Sequence, residues 1–139
     1  MRWVHVVSAI VWIGGMFFIA LVLVPVARDL GDPPLRARLV DESGRRFRPV
    51  AWIALVLLVV TGLLNLWYRP YLLQSPRFLA KLGLVVVALL LSGVHDFVLG
   101  PRAGAPGAPP SARVRASRLA RVNAAVALAI VLLGLSLRG

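Results

Sequence analysis

The chain has 139 residues, 60% of them apolar, and a formal charge of +11 from 16 Lys and Arg against 5 Asp and Glu. With a mean hydropathy of +0.87, it lies far outside the range of a water-soluble globular domain and reads as an integral membrane protein. The sequence has no cysteine, which excludes disulfides, thiolate metal centres and haem attached through a CxxCH motif.

Four apolar runs are long enough to cross a hydrocarbon core, which takes about 20 helical residues. They cover about residues 3–26, 50–67, 78–99 and 122–137. A spanning segment must satisfy its own backbone hydrogen bonds, and these runs lack the strict alternation of barrel strands, so each is predicted to be a helix. The expected fold is all-α: a single transmembrane domain over residues 1–139, built as an integral membrane four-helix up-and-down bundle.

The first run has no small-residue cleavage site and is longer than a signal-peptide core, so it is read as a retained helix. It carries His5, Ser8, Trp12 and Gly15 at i, i+3, i+7 and i+10, one continuous helical face. Gly14 and Gly15 are expected to let another helix approach closely. The connection "GDPPLRARLVDESGRRFRP" breaks at its two prolines and continues as a charged stretch that extends the second helix. The second run ends in "TGLLN", which sets Thr61 and Asn65 one turn apart. "WYRPY" and "QSP" close a short turn whose Trp67, Tyr68 and Tyr71 suit an interfacial aromatic belt.

On the third run Lys81, Ala88, Ser92 and His95 share a face, because fourteen residues is close to four turns. "GPRAGAPGAPPSARVRAS" follows as a Gly/Pro/Ala linker without core-forming residues. The fourth helix is entered through "RLARVN", with Arg118, Arg121 and Asn123 near its start.

Arginines crowd the first and third connections, and short Arg-rich loops stay in the cytoplasm. The expected location is therefore a bacterial inner (plasma) membrane, multi-pass, with the N and C termini outside. The basic residues flank spans and carry no interleaved aromatics, so the charge is a topology signal and nucleic acid is not an expected partner. The partner implied directly is the lipid bilayer. A homo-oligomer or a larger membrane complex is compatible with the same pattern.

Ionisable residues inside spans are costly and mark functional positions by default. In the expected topology helices one and three run in the same direction, so His5 lies near the outer face and His95 near the inner one. Counted from Arg77, His95 is about 27 Å along its helix at 1.5 Å per residue. The two imidazoles are then poorly placed to share one iron. Two clusters are expected instead: an outer one of His5, Asn65 and Lys81 with Trp12 below it, and an inner one of His95, Asp96 and the loop arginines.

The order "H-x6-W-x-G-G", "R-x-F-R-P-V-A-W" leading into "T-G-L-L-N", "F-L-A-K-L…H-D-x-x-x-G-P-R" and a final "R-x-N" resembles the CopD family of four-helix membrane proteins, named for copper resistance. The same skeleton resembles the HemJ-type protoporphyrinogen IX oxidases. That second resemblance implies a bound haem b and importance for the helix-one histidine and helix-three lysine, here His5 and Lys81. Two departures count against carrying the oxidase activity over. HemJ-type helix one ends in a second histidine where this chain has "PVARD", and the usual Asn-Glu of helix four is here Asn123 followed by Ala124.

Copper(I) prefers thiolate and thioether donors and copper(II) several imidazoles or oxygens. This chain offers Met1, Met16, His5 and His95, with Met1 and His5 forming at most a shallow entry site. Haem or a porphyrin asks for one axial nitrogen, an apolar slot and basic groups for the propionates. His5 supplies the nitrogen in this reading, Asn65 and Lys81 hold carboxylates, and Trp12 stacks on the macrocycle. An alternative haem uses His95, with Arg46, Arg118 or Arg121 at the propionates. The expected function is a haem b or porphyrin-binding redox protein. The alternatives are a copper transport or resistance component, with His5 and His95 as metal ligands, and a small accessory subunit of a larger membrane complex. If the protein is an enzyme, it is a membrane oxidoreductase of the protoporphyrinogen oxidase type. No catalytic residue is assigned.

Each of these residues also has a simpler reading. His5 is close enough to the interface to be hydrated, Lys81 can snorkel outward along its stem, and His95-Asp96 can be the polar end of a helix. Trp12 and the glycines suit packing whichever function holds.

Overall fold

In the computed structural model, which describes residues 2–105 and 107–136, the chain forms four long helices. Each is long and apolar enough to cross a membrane: α1 (Arg2–Asp29), α2 (Pro33–Trp67), α3 (Pro76–Ala103) and α4 (Pro110–Ser136). Met1, weighed above as a copper donor, and Leu137, the end of the fourth apolar run, lie outside the described residues.

Helix α1 widens into a π-helical turn at Ile19–Leu23, where the Val24 N–H bonds the Ile19 carbonyl. Pro25 follows one residue later. A proline inside a helix removes one N–H and crowds the carbonyl four residues back, and a wider turn accommodates both effects. The same device recurs in α3: a π-helical turn at His95–Leu99, closed by the Gly100 N–H on the His95 carbonyl, precedes Pro101.

The helix ends follow local chemistry. Gly31, at φ +69°, closes α1 with its N–H on the Arg28 carbonyl at 3.2 Å, a left-handed conformation that glycine adopts without a Cβ penalty. Asp32 then caps α2: its carboxylate accepts from the Leu35 N–H at 3.1 Å, and Pro33 occupies the first helical position, where its missing N–H costs nothing. The charged stretch is thus fully helical, and the apolar run 50–67 is only the C-terminal half of a 35-residue helix. A short 3-10 turn, Pro70–Gln74, leads to Ser75 and to Pro76 at the start of α3. The Gly/Pro/Ala linker is shorter than its composition suggests, because α3 continues to Ala103 and α4 already begins at Pro110.

The chain divides into two compact units, residues 1–65 and 66–139. In the first, α1 and α2 pair antiparallel: Gly15 faces the Phe47 ring, and one helical stretch away His5 meets Thr61 and Gly62. In the second, α3 and α4 pair antiparallel in a register marked by Lys81 with Gly134, Ser92 with Asn123, and Ala103 with Arg113. The buried apolar residues are mostly alanines, including Ala27, Ala54, Ala88 and Ala127, whereas Ile10, Leu21, Ile53 and Leu90 are exposed. That inverts a soluble core. Lipid is as apolar as leucine, so helices associate through small residues that let backbones approach, and the large side chains meet the acyl chains.

Candidate functional site

The face predicted on α1 from its spacing is present. Ser8 and Trp12 are buried, at 4% and 5% exposure. His5 is half-buried, and its Nδ1 lies 2.7 Å from the Thr61 hydroxyl. Gly15 sits so close to Phe47 that an added Cβ would come within 2.1 Å of the ring. Its neighbour Gly14 differs: a Cβ there would meet nothing within 4 Å. Of the two glycines expected to admit a close neighbour, Gly15 does so, and what it admits is an aromatic side chain rather than a helix backbone.

The Thr61 contact fixes more than a distance. The hydroxyl oxygen lies 2.5 Å from the Leu57 carbonyl and 3.3 Å from that of Leu58. A carbonyl can only accept, and a hydroxyl has one proton, so the short contact commits that proton to Leu57. Toward His5 the Thr61 oxygen must then accept, which places a proton on His5 Nδ1. In the neutral imidazole the lone pair is therefore at Nε2, the nitrogen that would engage a ligand.

In the second unit the face Lys81, Ala88, Ser92 and His95 also forms as its spacing predicts. Ala88 and Ser92 are buried at 2% and 6% exposure, and the Asn123 amide donates to the Ser92 hydroxyl at 2.9 Å. Lys81 does not simply snorkel along its own helix. A Cβ on Gly134 of α4 would stand 3.3 Å from its Nζ, so the ammonium lies against a stretch of helix bare of side chain. His95 donates from Nδ1 to the Asp96 carboxylate at 2.9 Å, which again leaves the lone pair of the neutral ring at Nε2. Both residues open the π-helical turn before Pro101, a local geometry often found at functional sites.

The arginines proposed for propionates are less engaged with the interior. Arg46 is exposed and donates from Nε to Glu42 at 2.8 Å, while Arg45 pairs with the same carboxylate. Arg46 and Arg45 together hold the Glu42 carboxyl below its usual range; all three residues precede the apolar run of α2. Arg121 is exposed, and its Nε reaches back 3.4 Å to the Ser117 carbonyl of its own helix. Asn65 is half-buried on the Thr61 face of α2. Among the described residues no group of three or more His, Asp or Glu side chains converges as a metal cage.

Two polar residues that matter were visible in the sequence without being singled out as site residues: Thr61, the partner of His5, and Asn123, the partner of Ser92. The signals were present, since Thr61 opens "TGLLN" and Asn123 is the one amide in the fourth span.

Comparison with known proteins bears on the whole arrangement. The sequence model of a family described as "CopD: Copper resistance protein D" matches residues 42–137. An uncharacterized protein of Aquifex aeolicus (strain VF5) is 36% identical over 138 residues, covering 96% of this chain and 90% of its own length. No solved structure matches.

Proposed function

The chain belongs to the CopD family of membrane proteins, and from that premise we propose that it holds haem b or a porphyrin in a redox role, with His5 Nε2 as the nitrogen that would bind the iron. The observation that carries this reading is the Leu57–Thr61–His5 relay, in which Thr61 Oγ1 holds one ring nitrogen of His5, Nδ1, at 2.7 Å. Metal-bound histidines commonly have their second nitrogen held in this way. The donor set fits haem, since a single imidazole nitrogen would suffice to hold it. Bound haem b supplies reversible one-electron chemistry at its iron.

The chain's own residues then have separate tasks. His5 donates the nitrogen. Trp12, buried about two turns further along α1, gives an apolar wall that excludes water. In the first unit Asn65 offers an amide to carboxylates, in the second Lys81 offers an ammonium, and Arg46 and Arg121 are left to the membrane surface. His95, oriented by Asp96, is the second candidate for the nitrogen that would hold the iron. The proposed setting is a bacterial inner membrane with both termini outside, supported by the arginines that lie between the first and second and between the third and fourth apolar runs.

The family's description favours a second reading, in which copper is cargo rather than cofactor. Copper asks for several soft or imidazole donors together; among the described residues no three or more His, Asp or Glu side chains converge. An absorption spectrum of protein expressed with ample haem separates the two. A reducible Soret band that is lost in His5→Ala and kept in His95→Ala supports the haem reading at His5. A wild-type protein without that band, together with copper uptake that depends on His5, rejects it for the copper reading. Stability only in the presence of a larger co-purifying partner points instead to an accessory subunit.

A further inference from the structure

We propose that Thr61 is the positioning residue of His5: it fixes the imidazole as the Nδ1–H tautomer and so makes Nε2 a lone-pair donor, suited to a metal centre rather than to a carboxylate. The ligand class rests on the function proposed above; the tautomer does not.

Three groups define the relay. Thr61 Oγ1 lies 2.5 Å from the Leu57 carbonyl, one turn back on α2, and 2.7 Å from His5 Nδ1 on α1. Threonine hydroxyls commonly bond the carbonyl four residues back inside helices, and in a membrane span this is the nearest acceptor. Once that bond forms, the oxygen has lone pairs left and no proton, so it can only accept from His5. The imidazole edge also packs on Gly62, where an added Cβ would stand 3.7 Å from Cε1. That is ordinary van der Waals distance, so the ring lies against this stretch of α2 while Thr61 holds one nitrogen.

The consequence is chemical selection. A neutral imidazole that donates at Nδ1 has no second N–H to offer, so at Nε2 it can accept a proton or bind a Lewis acid. A carboxylate, which only accepts when ionised, finds no hydrogen-bond donor at that nitrogen. At His5 Nε2 the relay therefore favours a metal such as haem iron over an ionised carboxylate.

The sequence contains only two histidines, so the test is direct. Full-length protein with 15N-labelled histidine, prepared without haem or metal, is examined by solid-state NMR in lipid, with His95→Gln assigning His5. The expected result is a protonated Nδ1 and an unprotonated Nε2 for neutral His5. Thr61→Ser keeps this pattern. Thr61→Val, which has the same shape without the hydroxyl, loses the preference. Hemin is then titrated: Thr61→Val weakens its binding about 10–100-fold, as loss of a histidine-orienting partner does elsewhere, and Thr61→Ser restores it. A wild-type His5 protonated at Nε2 overturns the proposal without recourse to any variant. So does a tautomer unchanged in Thr61→Val. If the tautomer behaves as expected and hemin does not bind the wild type, the relay stands and the haem reading falls.

Discussion

Gly14 and Gly15 are adjacent and chemically identical, yet the structure gives them opposite responses to one added methyl group. At Gly15 the new Cβ would lie 2.1 Å and 2.2 Å from two carbons of the Phe47 ring and 3.0 Å from a third. Carbon atoms rest at about 3.5–4.0 Å, so the ring must retreat by roughly 1.5 Å. Overpacking of this kind costs about 1–3 kcal/mol. Phe47 is half-buried and can swing about its side-chain torsions, which places the cost toward the lower end. Against it stands the gain of alanine over glycine in a helix interior, about 0.5–1 kcal/mol. At Gly14 the methyl group meets nothing within 4 Å, so only the gain remains. Gly14→Ala is therefore expected to stabilise or leave stability unchanged, and Gly15→Ala to fall below it by about 1–3 kcal/mol. Reversible unfolding in mixed detergent micelles, followed by circular dichroism, measures both. A double-mutant cycle with Phe47→Ala isolates the clash, because the gap between the two glycine variants should close once the ring is gone. Equal behaviour of Gly14→Ala and Gly15→Ala, or a gap that persists without the ring, would refute the α1–α2 packing described here.

Two further outcomes concern α3 and α4. Ser92→Ala removes the acceptor of the buried Asn123 amide bond and should cost about 1–3 kcal/mol in the same unfolding assay, whereas Ser92→Ala combined with Asn123→Leu should recover part of that loss. At Gly134 the nearest atom to a new Cβ is the end of the Lys81 side chain. Gly134→Ala should then change stability by less than about 1 kcal/mol, while Gly134→Leu displaces the ammonium and lowers affinity for carboxylate ligands as Lys81→Met does, measured by ligand titration.

What was legible in the sequence is what depends on one helix at a time. Apolar length gave the four spans, since the bilayer imposes it residue by residue. Helical phase gave the buried faces His5–Ser8–Trp12–Gly15 and Lys81–Ala88–Ser92–His95, because a period of 3.6 is written into the order of residues. Cap chemistry was local too: "GDPP" carries both the left-handed glycine and the Asp cap. The basic entries to α2 and α4 were legible as charge; that they continue as helix follows from the low cost of extending a helix already nucleated in the membrane.

Partnership between helices was not legible, because nothing in a single helix's period says which residue of another lies at the same height. Asn65 and Thr61 share a face and differ by one turn, and only the packing of α1 on α2 assigns His5 to Thr61. Nor does composition distinguish Gly14 from Gly15, or reveal that Lys81 lies over Gly134 and Ser92 against Asn123. The sequence by itself determined the solvent, the number of spans and the inward face of α1 and α3. Tertiary structure alone decided where the His5 proton resides, because that depends on a third residue's single hydroxyl proton and on the Leu57 carbonyl that claims it.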